Sequence, residues 1–77
     1  MNSAELKRAA LEAEFIVNGY AFSRVADGNY RVLNLNNRGA SAAVLTEAGE
    51  MLEANMDDIE LGIVADYLKR NLPILML

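Results

Sequence analysis

The sequence predicts an α+β domain with a helix, a four-stranded antiparallel sheet of two hairpins and a second helix in chain order, both helices packing on one face of the sheet. Three observations lead to this prediction. Apolar residues recur at helical spacing near both ends of the chain, an Asp-Gly turn joins two strand-like runs, and a glycine occupies the corresponding place in the next segment. A chain of 77 residues has room for one hydrophobic core, so we expect a single domain over residues 1–77.

The first helix is predicted over residues 4–18. Ser3 can cap its N-terminus, several alanines favour it, and Gly19 can end it in the left-handed conformation. Leu11 and Phe15 lie four residues apart on the side of this helix opposite its main apolar face. They form either a local surface contact or a second packing surface for a partner chain, and the sequence leaves both interpretations open.

Two strands are predicted next, over residues 20–26 and 29–35, because Asp-Gly between strand-like runs is a strong hairpin signal. The register depends on the loop. A three-residue loop pairs Arg24 with Tyr30, whereas a two-residue turn places Arg24 opposite Arg31. Like charges directly opposite each other destabilise a sheet, so we favour the three-residue loop.

Residues 40–55 fit either a helix or a second hairpin. Apolar residues have helical spacing there, but Gly49 would lie in the middle of the helix, where glycine costs about 1 kcal/mol relative to alanine. In the hairpin, strands over residues 42–46 and 50–54 flank a loop that ends in Gly49. We favour the hairpin because an extended segment can lead directly into the following helix. The expected cross-strand pairs are Val44 with Leu52 and Leu45 with Met51.

The second helix is predicted over residues 56–71, with Asn55 as its cap and acidic residues in its first turn, where they complement the helix dipole. Apolar residues occupy more than half of its circumference, so it needs cover on more than one side. Pro73 is expected to end the helix. The remaining apolar tail, residues 73–77, is then expected to pack on the domain or on another chain.

The composition excludes several kinds of chemistry. The chain contains no cysteine and no histidine, and its net charge is -4. It therefore lacks a thiol nucleophile, a disulfide, an imidazole base and the ligands of a Cys/His zinc site. We expect a protein that is not an enzyme and binds no cofactor. With no apolar run near the roughly 20 residues of a membrane span, we expect a cytoplasmic protein without a membrane partner.

The leading functional hypothesis is a small non-catalytic protein-interaction or regulatory module that acts as a homodimer and binds an unidentified protein. Domains of this size without a disulfide or metal often gain stability from a partner chain. The second face of the first helix and the apolar tail supply the predicted contact residues. These are Leu11, Phe15, Ile74, Leu75 and Leu77.

The alternative hypothesis is a nucleic-acid-binding module that uses the basic hairpin, residues 20–38. Residues 19–46 carry three arginines against a single aspartate, together with aromatic residues. Arginines beside exposed aromatic rings can contact phosphates and stack on bases. The candidate residues are Arg24, Tyr30, Arg31 and Arg38. Because three arginines are few and the whole chain is acidic, we do not expect a nucleic-acid partner.

Overall fold

A computed structural model describes residues 2–38 and 40–75, the side chain of Leu75 excepted. Within these residues, five strands form one antiparallel sheet in the order β1-β2-β3-β4-β5. The α+β class is confirmed, but the described part of the chain contributes five strands to the sheet rather than the predicted four. The elements are helix α1 (Ser3–Glu12), strands β1 (Phe15–Val17), β2 (Tyr20–Arg24), β3 (Tyr30–Asn34), β4 (Ala42–Leu45) and β5 (Met51–Ala54), and helix α2 (Asp58–Leu75).

The additional strand, β1, replaces the second half of the predicted first helix. The helix prediction over residues 4–18 is wrong beyond Glu12, because the next residue is already extended and Phe15–Val17 pairs with β2. Asn18 and Gly19 both have positive φ. That is the pattern of a tight two-residue hairpin turn, for which Asn-Gly is the preferred sequence. The same two residues that resemble a helix end therefore form the turn between β1 and β2.

Both predicted hairpins are present. In the first, Arg24 pairs with Tyr30, which confirms the three-residue loop. The second is also a hairpin rather than a helix, and Leu45 pairs with Met51 as expected. The predicted pairing of Val44 with Leu52 is wrong, because an irregularity in the register puts Glu53 opposite Val44. A β-bulge inserts one residue into one strand and shifts all later pairs by one.

The second helix differs from the prediction at both ends. Asp57 is its cap, since its side-chain Oδ1 accepts a hydrogen bond of 2.8 Å from the backbone N–H of Glu60. Asn55 instead bonds to the first residue of β4, where its side-chain Oδ1 accepts a hydrogen bond from the backbone N–H of Ala42. Pro73 does not end the helix, which continues to Leu75. In the final turn, proline removes one intrahelical hydrogen bond and leaves the earlier turns intact.

The hydrophobic core lies between α2 and one face of the sheet. Every second side chain of β2, β3 and β4 points to this face, and α2 packs against these side chains through Val64, Leu68 and Leu72. Every buried side-chain polar atom in the described residues has a hydrogen-bond partner. The strand residues of the core are Phe22, Tyr30, Val32, Ala43 and Leu45.

The other face of the sheet is covered only in part. Ala21 and Leu33 point away from the α2 side, because they alternate with core residues, and yet both are buried outside the main cluster. Helix α1 contacts β2 and has a single buried residue, Ala9. The prediction that both helices share one face is therefore not confirmed: burial assigns α1 to the face opposite α2. Helix α1 covers the β2 side of that face and leaves the β4–β5 side open.

Candidate functional site

The uncovered part of the sheet forms an open groove of about 300 Å³, which we call the sheet groove. Val44 is its largest apolar side chain, and the alanines around it keep the floor shallow. A shallow apolar floor with polar residues at its margins is typical of a surface that binds another protein. The groove is lined by Arg31, Ala42, Ala43, Val44, Glu53, Ala54 and Asn55.

Two opposite charges flank the floor of the sheet groove. Arg31 lies opposite Val44 in the β3–β4 pair, and Glu53 lies opposite Val44 in the β4–β5 pair. Side chains directly opposite each other point to the same face of a sheet, so the three residues form one row across the strands. Neighbouring strands are about 4.8 Å apart, so the two charged residues are attached roughly 10 Å apart. Neither belongs to an ion pair within the described part of the chain.

The predicted interaction residues do not form one surface. Leu11 is 86 % exposed on α1, but Phe15 lies in β1, where its ring stacks on Phe22 with the centroids 4.5 Å apart. The two therefore share no helix face. Ile74 is 67 % exposed in the last turn of α2. The side chain of Leu75 and the whole of Leu77 lie outside the described residues.

The four candidate nucleic-acid residues are also dispersed. Tyr30 is fully buried in the core and has no free ring face for a base. The Arg24 guanidinium donates a hydrogen bond of 2.9 Å to the Tyr30 hydroxyl, and this bond raises the pKa of Arg24. Arg31 faces the sheet groove on the opposite side of the sheet. Arg38 follows β3 in the turn at the other end of that strand.

A polar cluster joins one end of the sheet to α2 through Glu60 in its first turn and Tyr67 further along the helix. Glu60 Oε2 accepts hydrogen bonds from the Tyr20 hydroxyl at 2.7 Å and from Asn34 Nδ2 at 3.0 Å. Asn18 Nδ2 donates to the Tyr67 hydroxyl at 3.0 Å, and the Tyr67 ring lies 6.2 Å from that of Tyr20. These bonds reach from the β1–β2 turn and from β2 and β3 to α2. The cluster therefore fixes the position of α2 on the sheet.

Alkaline conditions are expected to weaken this cluster. The hydrogen bond to Glu60, followed by burial, raises the pKa of Tyr20 from 10.0 to about 12. Because the pKa in the folded state is the higher one, the hydroxyl stabilises the fold fully below pH 10, and this contribution is lost as the pH rises through about 12. We expect Tyr20→Phe to be less stable than the wild type below pH 10, and the difference to narrow towards pH 12. Urea unfolding of both proteins at several pH values from below 10 to about 12 measures this difference in unfolding free energy. A difference that does not change with pH would contradict the stabilising role assigned to the Tyr20 hydroxyl.

Neither helix in the described part of the chain has the length and apolar character needed to cross a bilayer. Within the same residues, no three carboxylates converge as a metal site.

Comparisons with known proteins place the chain in a family. A comparison with curated proteins found no match, and a comparison with solved structures found none either. The sequence profile of a family of unknown function matches residues 3–75, and the chain therefore belongs to that family, DUF7723.

Proposed function

We propose that the protein is a non-catalytic protein-interaction module that acts as a homodimer, with the sheet groove as its docking surface. The observation that carries this proposal is the uneven cover of the sheet. Helix α2 packs over one face, while α1 leaves the β4–β5 side of the other face open. An apolar sheet face in water costs free energy, and a second sheet packed on it removes that cost.

The size of the chain supports the same proposal. A domain of 77 residues buries a smaller fraction of its surface on folding than a larger domain does, and its stability margin is correspondingly small. Large apolar side chains are exposed outside the groove as well. They are Leu11, Ile16, Met51, Leu52, Ile59, Ile63 and Ile74. A second copy is a partner that is always available to such a chain, and two-fold dimers are the commonest oligomers.

Sedimentation equilibrium of the wild-type chain tests the proposal. At micromolar concentrations we expect the average mass to rise with concentration towards twice the mass of one chain. A single-chain mass at every concentration up to the solubility limit would contradict the proposal. A single-stranded oligonucleotide is the probe for the alternative function. Binding that weakens as salt is raised, in a protein that stays monomeric, would also overturn the homodimer proposal.

A further inference from the structure

The charges of the sheet groove make it complementary to a second copy of itself. Arg31, Val44 and Glu53 lie in a row, with the apolar residue in the middle and opposite charges at the two ends. Building on the proposed function, we infer that two copies pack groove to groove around a two-fold axis that runs along β4. Val44 then meets Val44 of the other copy, and Arg31 of each copy meets Glu53 of the other.

The charges select this axis over the other one available to two packed faces. An axis along β4 exchanges the two ends of the row, so it creates two attractive pairs. An axis across the strands brings Arg31 onto the second Arg31 and Glu53 onto the second Glu53, and like charges placed in contact repel each other strongly. Packed sheets lie about 10 Å apart, a gap that an arginine and a glutamate side chain together can span. The small Ala42 beside Val44 does not obstruct this approach.

The other exposed apolar surfaces are less suited to self-association. On the outer side of α2, Ile59 and Ile74 lie on either side of an ion pair between Asp66 and Arg70, with its atoms 3.0 Å apart. Both of those charges are already neutralised within one chain. The edge strand β5 carries Glu53 and follows Glu50, and acidic residues at a sheet edge disfavour pairing with another edge. The groove instead presents two opposite charges at the two ends of one row, and neither of them has an ion-pair partner in the described part of the chain.

Exchanging the two charges tests the pairing. Arg31→Glu places two glutamates in each groove, and Glu53→Arg places two arginines there, so each variant alone is expected to dimerise at least about tenfold more weakly than the wild type. An equimolar mixture of the two variants restores both attractive pairs and is expected to form a heterodimer of near wild-type affinity. The double variant is expected to form a homodimer again. Sedimentation equilibrium measures all four samples.

Matched controls separate this inference from the proposed function. Both substituted side chains are exposed, so each variant is expected to keep the circular dichroism spectrum of the wild type, and its melting temperature at concentrations where both proteins are monomeric. Arg38→Glu makes the same change of charge outside the groove and is expected to leave dimerisation unchanged. If the wild type dimerises and neither single substitution weakens it, the homodimer of the proposed function holds, whereas the groove-to-groove pairing is wrong. A mixture that stays monomeric overturns the reciprocal pairing, whereas a monomeric wild type overturns both proposals.

Discussion

Replacing Leu68 with alanine is expected to lower the free energy of unfolding by about 3 kcal/mol, the usual cost of a leucine truncated in a packed core. Leu68 is completely buried on the side of α2 that faces the sheet, within the main core cluster. Truncation removes its contacts and leaves a cavity between helix and sheet. Domains of this size have about 4–12 kcal/mol of stability in total, so the loss is a large share.

Leu11→Ala provides the matched control for this substitution. It makes the same chemical change in the other helix, at a side chain that is 86 % exposed. We expect a change within about 0.5 kcal/mol, as for most surface substitutions. Urea unfolding of both variants, at concentrations where the chain is monomeric, measures the contrast. Similar losses in the two variants would show that α2 does not seal the core as described.

Phe22→Ala is expected to cost about 4 kcal/mol, at the upper end of the range for buried side chains. Phe22 is fully buried in β2, which pairs with both β1 and β3, and its ring stacks on that of Phe15. Its loss removes the main side-chain contact that holds β1 to the sheet. Backbone amide exchange in β1 is therefore expected to accelerate more than exchange in β4.

Phe22→Leu keeps this prediction testable if the alanine variant fails to fold. Leucine retains most of the apolar volume but cannot stack on Phe15, so the global loss is expected to be about 1.5 kcal/mol. Amide exchange in β1 is still expected to rise in this variant. Equal acceleration in β1 and β4 would contradict the role assigned to the Phe15–Phe22 stack.

The parts of the fold that follow from local turn chemistry could be predicted from the sequence. Gly28 in the β2–β3 loop and Gly49 in the β4–β5 loop allow the positive φ that those loops require. The same chemistry explains the main error. Asn18-Gly19 is compatible with a helix end and with a hairpin turn, and an alanine-rich stretch before it favours the helix. Pairing with β2 and stacking on Phe22 decide the outcome, and neither is visible in a local window.

The side of the sheet on which α1 packs was not predictable from periodicity. Its buried face is centred on Ala9, a small residue that would fit against either side of a sheet. That placement determines which part of the sheet stays open. The predicted interaction residues lie on the helices, β1 and the C-terminal tail, and none of those in the described part of the chain lines the sheet groove.

The sequence did contain one usable signal for the candidate site. The nucleic-acid hypothesis places Arg24 and Arg31 on one basic surface, but in the register that pairs Arg24 with Tyr30, the next residue, Arg31, must point to the opposite face. Alternation alone therefore separates the two arginines. Placing Glu53 in the same row as Arg31 required the bulge between β4 and β5, which no local pattern indicates.

The central claim is that two copies meet through their sheet grooves, and intermolecular NOEs test it most directly. A sample of ¹³C-labelled chain mixed with unlabelled chain reports contacts between copies alone. We expect intermolecular NOEs from the methyl groups of Val44 and Ala42 to the same residues of the other copy. Intermolecular NOEs at Ile59, Ile63 or Ile74 of α2, with none at Val44, would contradict the claim.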